Sequence, residues 1–173
     1  MQEPGRVAEV TRTTLPICLG LLALASPLAA QEKPATPAQI AEAVSACREI
    51  TSPTWIDLKK LPSLGWSPYT KAAGRNQMKI GGAYEKTGNQ AILVIGHDEL
   101  KTKTCVVLAR LESGAAYGAT AQGVSSIIGM PTRQTDYTYI WERDRQHITL
   151  DPSGDKSAPK ARFAINAIKE SAE

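Results

Sequence analysis

Two cysteines, Cys47 and Cys105, constrain this chain more than any other pair of residues. The third, Cys18, lies in an apolar stretch, Leu15 to Leu28, that reads as a secretory leader and is lost with it. That stretch is about fourteen residues long, where a bilayer span needs roughly 20. Arg6 and Arg12 precede it, and Ser26, Ala29 and Ala30 supply the small residues of a cleavage site. Cys18 follows Leu-Pro-Ile near the start of the run, which is the wrong place for a lipid-bearing cysteine. Cleavage after Ala30 therefore leaves residues 31–173 as one domain, with no membrane span and only one way to pair the remaining cysteines. An oxidising compartment favours that disulfide over free thiols. Closing a loop of about 58 residues stabilises a fold by roughly 4 kcal/mol in the chain-entropy model.

Processing removes two arginines and two glutamates and keeps 18 basic against 15 acidic residues. Such a mild excess does not make the clustered basic face of a nucleic-acid binder, and export separates the chain from that partner. A metal site is equally ill supported. Cys47 and Cys105 lack the short spacing of zinc ligands, and only His97 and His147 are available to join them. Gly81-Gly82 and the Gly114 to Gly123 region lack the spacing and lysine of a phosphate loop, so no nucleotide or other cofactor is expected.

Thr36, followed by Pro37 and Gln39, makes a capping box and predicts a helix to about Ile50, with Ile40, Val44 and Cys47 on one face. From Thr51 to Met78 the chain is rich in Pro, Ser, Gly and Lys. A helical turn is expected near Ile56 to Leu61, with Trp55 and Trp66 folded onto the core. Strands are predicted at Lys79 to Lys86 and Gln90 to Gly96 around the turn Thr87-Gly88-Asn89, then at Thr104 to Leu111 after a polar turn from His97 to Lys103. Both faces of the 104–111 strand are apolar over its first half, which places it centrally. A second helix is signalled by Thr120, Val124, Ile127 and Ile128 and stops at Gly129. Strands then follow at Asp136 to Glu142 and Gln146 to Asp151 around Arg143-Asp144-Arg145, and at Ala161 to Lys169, where a helix is the alternative.

The two halves repeat one order of elements, helix, hairpin, strand. Tyr84-Glu85-Lys86, a turn and Gln90-Ala91-Ile92 echo Trp141-Glu142-Arg143, a turn and Gln146-His147-Ile148. The expected fold is α+β, with two αβββ-like units forming one antiparallel sheet of about six strands and helices packed on one face. The helix ending in Gly129-Met130-Pro131, the strand with Trp141 and the hairpin to Ile148 resemble the αβ repeat of the SmpA/OmlA outer-membrane assembly lipoproteins and the β-lactamase inhibitory proteins. That resemblance covers Thr120 to Leu150 and implies a module of the bacterial envelope or secreted space that binds other proteins without catalysis. The chain departs from the pattern in lacking the Gly-Met pair that opens the helix and a lipid-bearing cysteine.

No catalytic constellation emerges. His97-Asp98-Glu99 sits in a predicted solvated turn, and Ser125 and Ser126 fall on an amphipathic helix outside any nucleophile elbow. The candidate partner-binding residues are Tyr137, Tyr139, Trp141 and Arg143, which share one strand face, together with Trp66. The same row suits the core if it faces the helices. The leading expectation is a periplasmic or secreted, non-enzymatic protein that binds another envelope protein. One alternative is a small periplasmic hydrolase using His97 or His147. Another is an inhibitor of a cell-wall lytic enzyme, because Ser113-Gly114-Ala115-Ala116-Tyr117 resembles the Ser-Gly-x-x-Tyr loop of barrel-type periplasmic lysozyme inhibitors. N-terminal sequencing of the protein recovered from an exporting bacterial host is expected to begin at Gln31; a chain that still starts at Met1 would contradict the leader.

Overall fold

In the computed structural model, residues 33–73 and 76–168 are described, so the expected leader lies outside them. Helix α1, Pro37–Ile50, starts where the capping box requires. Its Gln39 N–H donates to the Thr36 hydroxyl at 3.2 Å, and Thr36 N–H donates to the Gln39 side chain at 2.9 Å. Two short 3-10 turns follow, Leu58–Lys60 and Pro62–Leu64. Next come β1 (Ser67–Ala73), β2 (Asn76–Glu85), β3 (Ile92–Val94), α2 (His97–Thr102) and β4 (Thr104–Arg110). The second half comprises α3 (Ala116–Ile128), β5 (Arg133–Thr135), β6 (Thr138–Arg143), β7 (Gln146–Gly154) and β8 (Pro159–Ala167).

All eight strands form one open antiparallel sheet in the order β1-β2-β3-β4-β8-β7-β6-β5. This corrects the expected six. The two missed strands are its edges: β1 lies in a stretch whose proline and serine content disguises it, and β5 is three fully exposed polar residues. Each half thus contributes four strands, the second half in reversed spatial order, and the halves join where β4 pairs with β8 from Thr104↔Asn166 to Arg110↔Lys160. The 104–111 strand is central, as its two apolar faces required. The ambiguous 161–169 segment is a strand as far as Ala167; Ile168 follows it, and Lys169 lies outside the described residues. The expected polar turn from His97 is instead the short helix α2, and α3 begins four residues before Thr120.

Both long helices lie on one face. Ile40, Val44 and Cys47 of α1 and Tyr117, Ala121 and Val124 of α3 join the core with Leu93, Val107, Trp141, Ile148, Leu150, Phe163 and Ile165 of the sheet. The helices touch closely at Gly123, where an added Cβ would come within 2.8 Å of the Pro37 side chain. Cys47 and Cys105 are fully buried and disulfide-bonded with Cα atoms 5.5 Å apart, tying α1 to β4 at the centre of the sheet. No helix among the described residues is long and apolar enough to cross a membrane.

Replacing both cysteines by alanine is expected to lower the unfolding free energy by about 2–4 kcal/mol. Trp141→Ala is expected to cost about 3–5 kcal/mol, because the ring is wholly buried and its Nε1–H donates to the Gly129 carbonyl at 3.0 Å. Urea denaturation checks both, and a loss under about 1 kcal/mol for either would contradict the packing described.

Candidate functional site

The aromatic row does not survive as a surface. Trp141 is fully buried, Tyr139 is partly buried against the core, and their rings stack with Phe163 and Tyr117 at centroid distances of 5.9 to 6.3 Å. The row faces the helices because Tyr139 and Trp141 stand in register with Leu150 and Ile148, whose side chains are core. Trp66 is 1% exposed and also core, whereas Trp55, expected there, is 64% exposed. Arg143 ends the row over α3, its guanidinium 3.6 Å from where a Cβ on Gly129 would lie, close to the negative end of that helix. Of the aromatic candidates only Tyr137 stands clear, in the two-residue turn between β5 and β6, and Arg143 is exposed beside α3.

The catalytic alternatives fare no better. His147 lies on the sheet face away from the helices, its Nδ1 3.6 Å from Glu142 Oε1. His97 lines a cleft on the helix face with Tyr84 and Ile95, so the two imidazoles do not converge. The hydroxyls of Ser125 and Ser126 donate to the carbonyls of Ala121 and Gly123 within their own helix. Tyr117, which the inhibitor resemblance needs on a loop, is buried in the first turn of α3. Its hydroxyl sits 2.6 Å from the Tyr137 carbonyl and 2.9 Å from that of Leu150, and burial, helped by the charge of Asp151, pushes its pKa well above the ordinary phenol value.

Sequence reasoning missed two amide side chains that hold the fold in place. Asn89 follows the β2–β3 turn and donates from Nδ2 to the Gln39 carbonyl at 2.9 Å and to Glu42 Oε2 at 2.8 Å. Gln146 follows the β6–β7 turn, where Asp144 and Arg145 both take positive φ. Its Nε2 donates to the carbonyls of Arg48 and Thr51, at 2.8 and 3.3 Å, satisfying acceptors at the C-terminal end of α1. An ion pair accompanies each amide, Lys86 with Glu42 at 2.7 Å and Arg48 with Asp144 at 2.6 Å. The repeated hairpin pattern in the sequence marks these two clasps.

What remains is the far face of the sheet. Four buried apolar residues, Ala83, Val106, Ile140 and Ala164, lie outside the core cluster. Strand register places them in one row, Ala83–Val94–Val106–Ala164–Thr149–Ile140, running from β2 to β6. A second row sets Ile92 and Leu108 beside Arg162 and Asp151, with the Thr138 hydroxyl donating to Asp151 at 2.7 Å. A third is polar, Thr104–Asn166–His147–Glu142. The apolar residues that α1 and α3 bury belong to the core on the other face, so no described helix is packed over these rows. Among the described residues no three His, Cys, Asp or Glu side chains are grouped to hold a metal ion. No protein-family model matches the chain, and neither a curated protein nor a solved structure matches it.

The clasp at Glu42 has a pH signature. The Lys86 hydrogen bond, then that from Asn89, holds its carboxyl below the ordinary value of 4.5. Stability from this group is therefore complete above that value and fades as pH falls below it. The side chain is 46% exposed, so solvent screens the pair. Glu42→Gln is expected to cost under about 1 kcal/mol in urea titrations at neutral pH, the gap from wild type closing as pH falls below the ordinary carboxylate value. A gap independent of pH would contradict the ionic contribution.

Proposed function

We propose that this chain is an exported, disulfide-stapled binding protein of the bacterial envelope, and that its partner is another protein docked on the far face of the sheet. The observation that carries this reading is the half-buried apolar strip Ile92, Val94 and Leu108, which borders the buried residues of the row from Ala83 to Ile140, is flanked by charged and polar residues and has no described helix over it. An apolar centre with a polar rim is the ordinary anatomy of a protein interface. Leu108 and Ile92 lie half-buried beside the row, and Arg162 and Asp151 next to them supply opposite charges that fix the orientation of a partner. The repeated helix, hairpin and strand order supports descent of the two halves from one αβ unit. Duplication then accounts for the breadth of the face, since joining β4 to β8 doubles the sheet that either half presents. The disulfide suits a compartment in which thiols are oxidised.

A photo-crosslinking amino acid placed at Leu108 is expected to yield one dominant protein adduct in the periplasm of the producing bacterium. The same group at Gln122, exposed on α3, is expected to give none. Leu108→Glu, combined with a crosslinker at the neighbouring Arg162, is expected to abolish the adduct. Equal adducts at positions 108 and 122, or none at either, would rule out the far face as the docking surface.

A further inference from the structure

Strand β2 outruns the sheet that holds it. On its outer edge β1 follows it along its length, from Ala73↔Asn76 to Ser67↔Glu85. On its inner edge β3 meets it only at Ala83 and Tyr84. The last bond on that side runs from the Ile95 N–H to the Gly82 carbonyl at 2.6 Å, after which Gly96 turns the chain out of the sheet into α2. Among the described residues nothing pairs with the inner edge of β2 over Asn76–Gly81. The second half has no such overhang, because β6 is short and β7 covers it from Tyr139 to Arg143.

Glycine makes the parting possible. Gly82 has φ +73°, and a Cβ there would lie 2.5 Å from the Gly96 Cα, so the two backbones touch. Beyond them a Cβ added to Gly81 would meet nothing within 4 Å. A cleft of about 790 Å³ opens at this point, walled by Leu58, Tyr84, Ile95 and Leu100, with His97 and Lys101 as its titratable lining. Leu100 is 42% exposed, and neither His97 nor Lys101 has a polar partner among the described residues.

We propose that the inner edge of β2 takes up an extended peptide as an added strand, in the line that β3 leaves. An apolar side chain of that peptide occupies the cleft, and an acidic residue lies against Lys101. Six residues at about 3.3 Å each give roughly 20 Å of edge, room for a peptide of five or six residues. In strand addition the main chain supplies affinity, while a pocket for alternate side chains supplies selectivity. An exposed strand edge invites uncontrolled pairing, and proteins ordinarily cover or blunt it. Among the described residues this edge is unpaired and lies beside an apolar cleft whose ammonium group has no polar partner, which favours an acidic, apolar peptide over a second copy of this basic chain. This site is separate from the far face, since the cleft is on the helix side of the sheet.

The test is selection from a phage library of random heptapeptides on the full disulfide-bonded chain, followed by synthesis of the enriched sequences. Enriched peptides are expected to alternate apolar with polar residues, to carry an acidic group, and to slow amide exchange in residues 76–81. Methylating alternate peptide nitrogens is expected to weaken binding about tenfold or more, as are Leu100→Glu and Lys101→Glu, while Leu108→Glu leaves it unchanged. Four outcomes would overturn the proposal: no sequence enriched over the Leu100→Glu protein, unchanged exchange in β2, indifference to methylation, or a dimer in sedimentation whose β2 amides are already protected without peptide. Because Leu108→Glu and Leu100→Glu affect different surfaces, failure here and failure of the far-face reading are distinguishable.

Discussion

Everything in this fold depends on how α1 is held over the middle of the sheet. The Cys47–Cys105 bond fixes the helix to a central strand, but a single covalent point leaves rotation about it open. The two hairpin turns remove that freedom. Asn89 reaches the first half of α1 and Gln146 its last turn, so each hairpin is anchored to the helix by a side-chain amide and an ion pair. These amides are buried, and a buried amide left without partners costs about 1–3 kcal/mol, which makes any displaced arrangement of α1 expensive. With α1 located, Gly123 sets how closely α3 can approach it, and α3 then covers Trp141 and Leu150.

Among the described residues, that one-sided construction leaves one face of the sheet without a helix over it. Two helices of 14 and 13 residues cover a single face of an eight-stranded sheet, and the apolar residues of the opposite face are left to one another. The departure of β3 after three residues leaves a second opening, between β2 and α2. Neither feature is explained by stability alone: the first leaves Ile92, Val94 and Leu108 partly exposed, and the second leaves an edge of β2 unpaired among the described residues.

Much of this was legible in the residues. The Thr36 box, the apolar run at Ala91–Ile95 and the two-faced strand at Cys105 each carry a strong local signal, and each reappears in place. The edges of the sheet carried none, because β1 opens on Ser-Pro in a stretch rich in turn residues and all three residues of β5 are polar and exposed. The orientation of the Tyr139–Trp141 row was undecidable from periodicity, which says that residues share a face and not which face the helices choose. The far-face row was illegible for a related reason. Its members come from six strands, and only register brings Ala83 into line with Ile140. The roles of Asn89 and Gln146 were hidden likewise, since a polar residue after a turn reads as solvated until the helix it reaches is known.

A soluble gadolinium chelate added to methyl-labelled protein distinguishes a sheet whose helices cover one face from a sheet covered on both. Paramagnetic relaxation should be strong at the methyl groups of Ile92, Val94 and Leu108 and weak at those of Leu93, Val107, Ile148 and Ile165, although Leu93 and Val107 alternate with the first set along β3 and β4. Equal protection of both sets would mean that the far face is covered, and strong relaxation of the second set would mean that the helices are not where the disulfide and the two amide clasps place them.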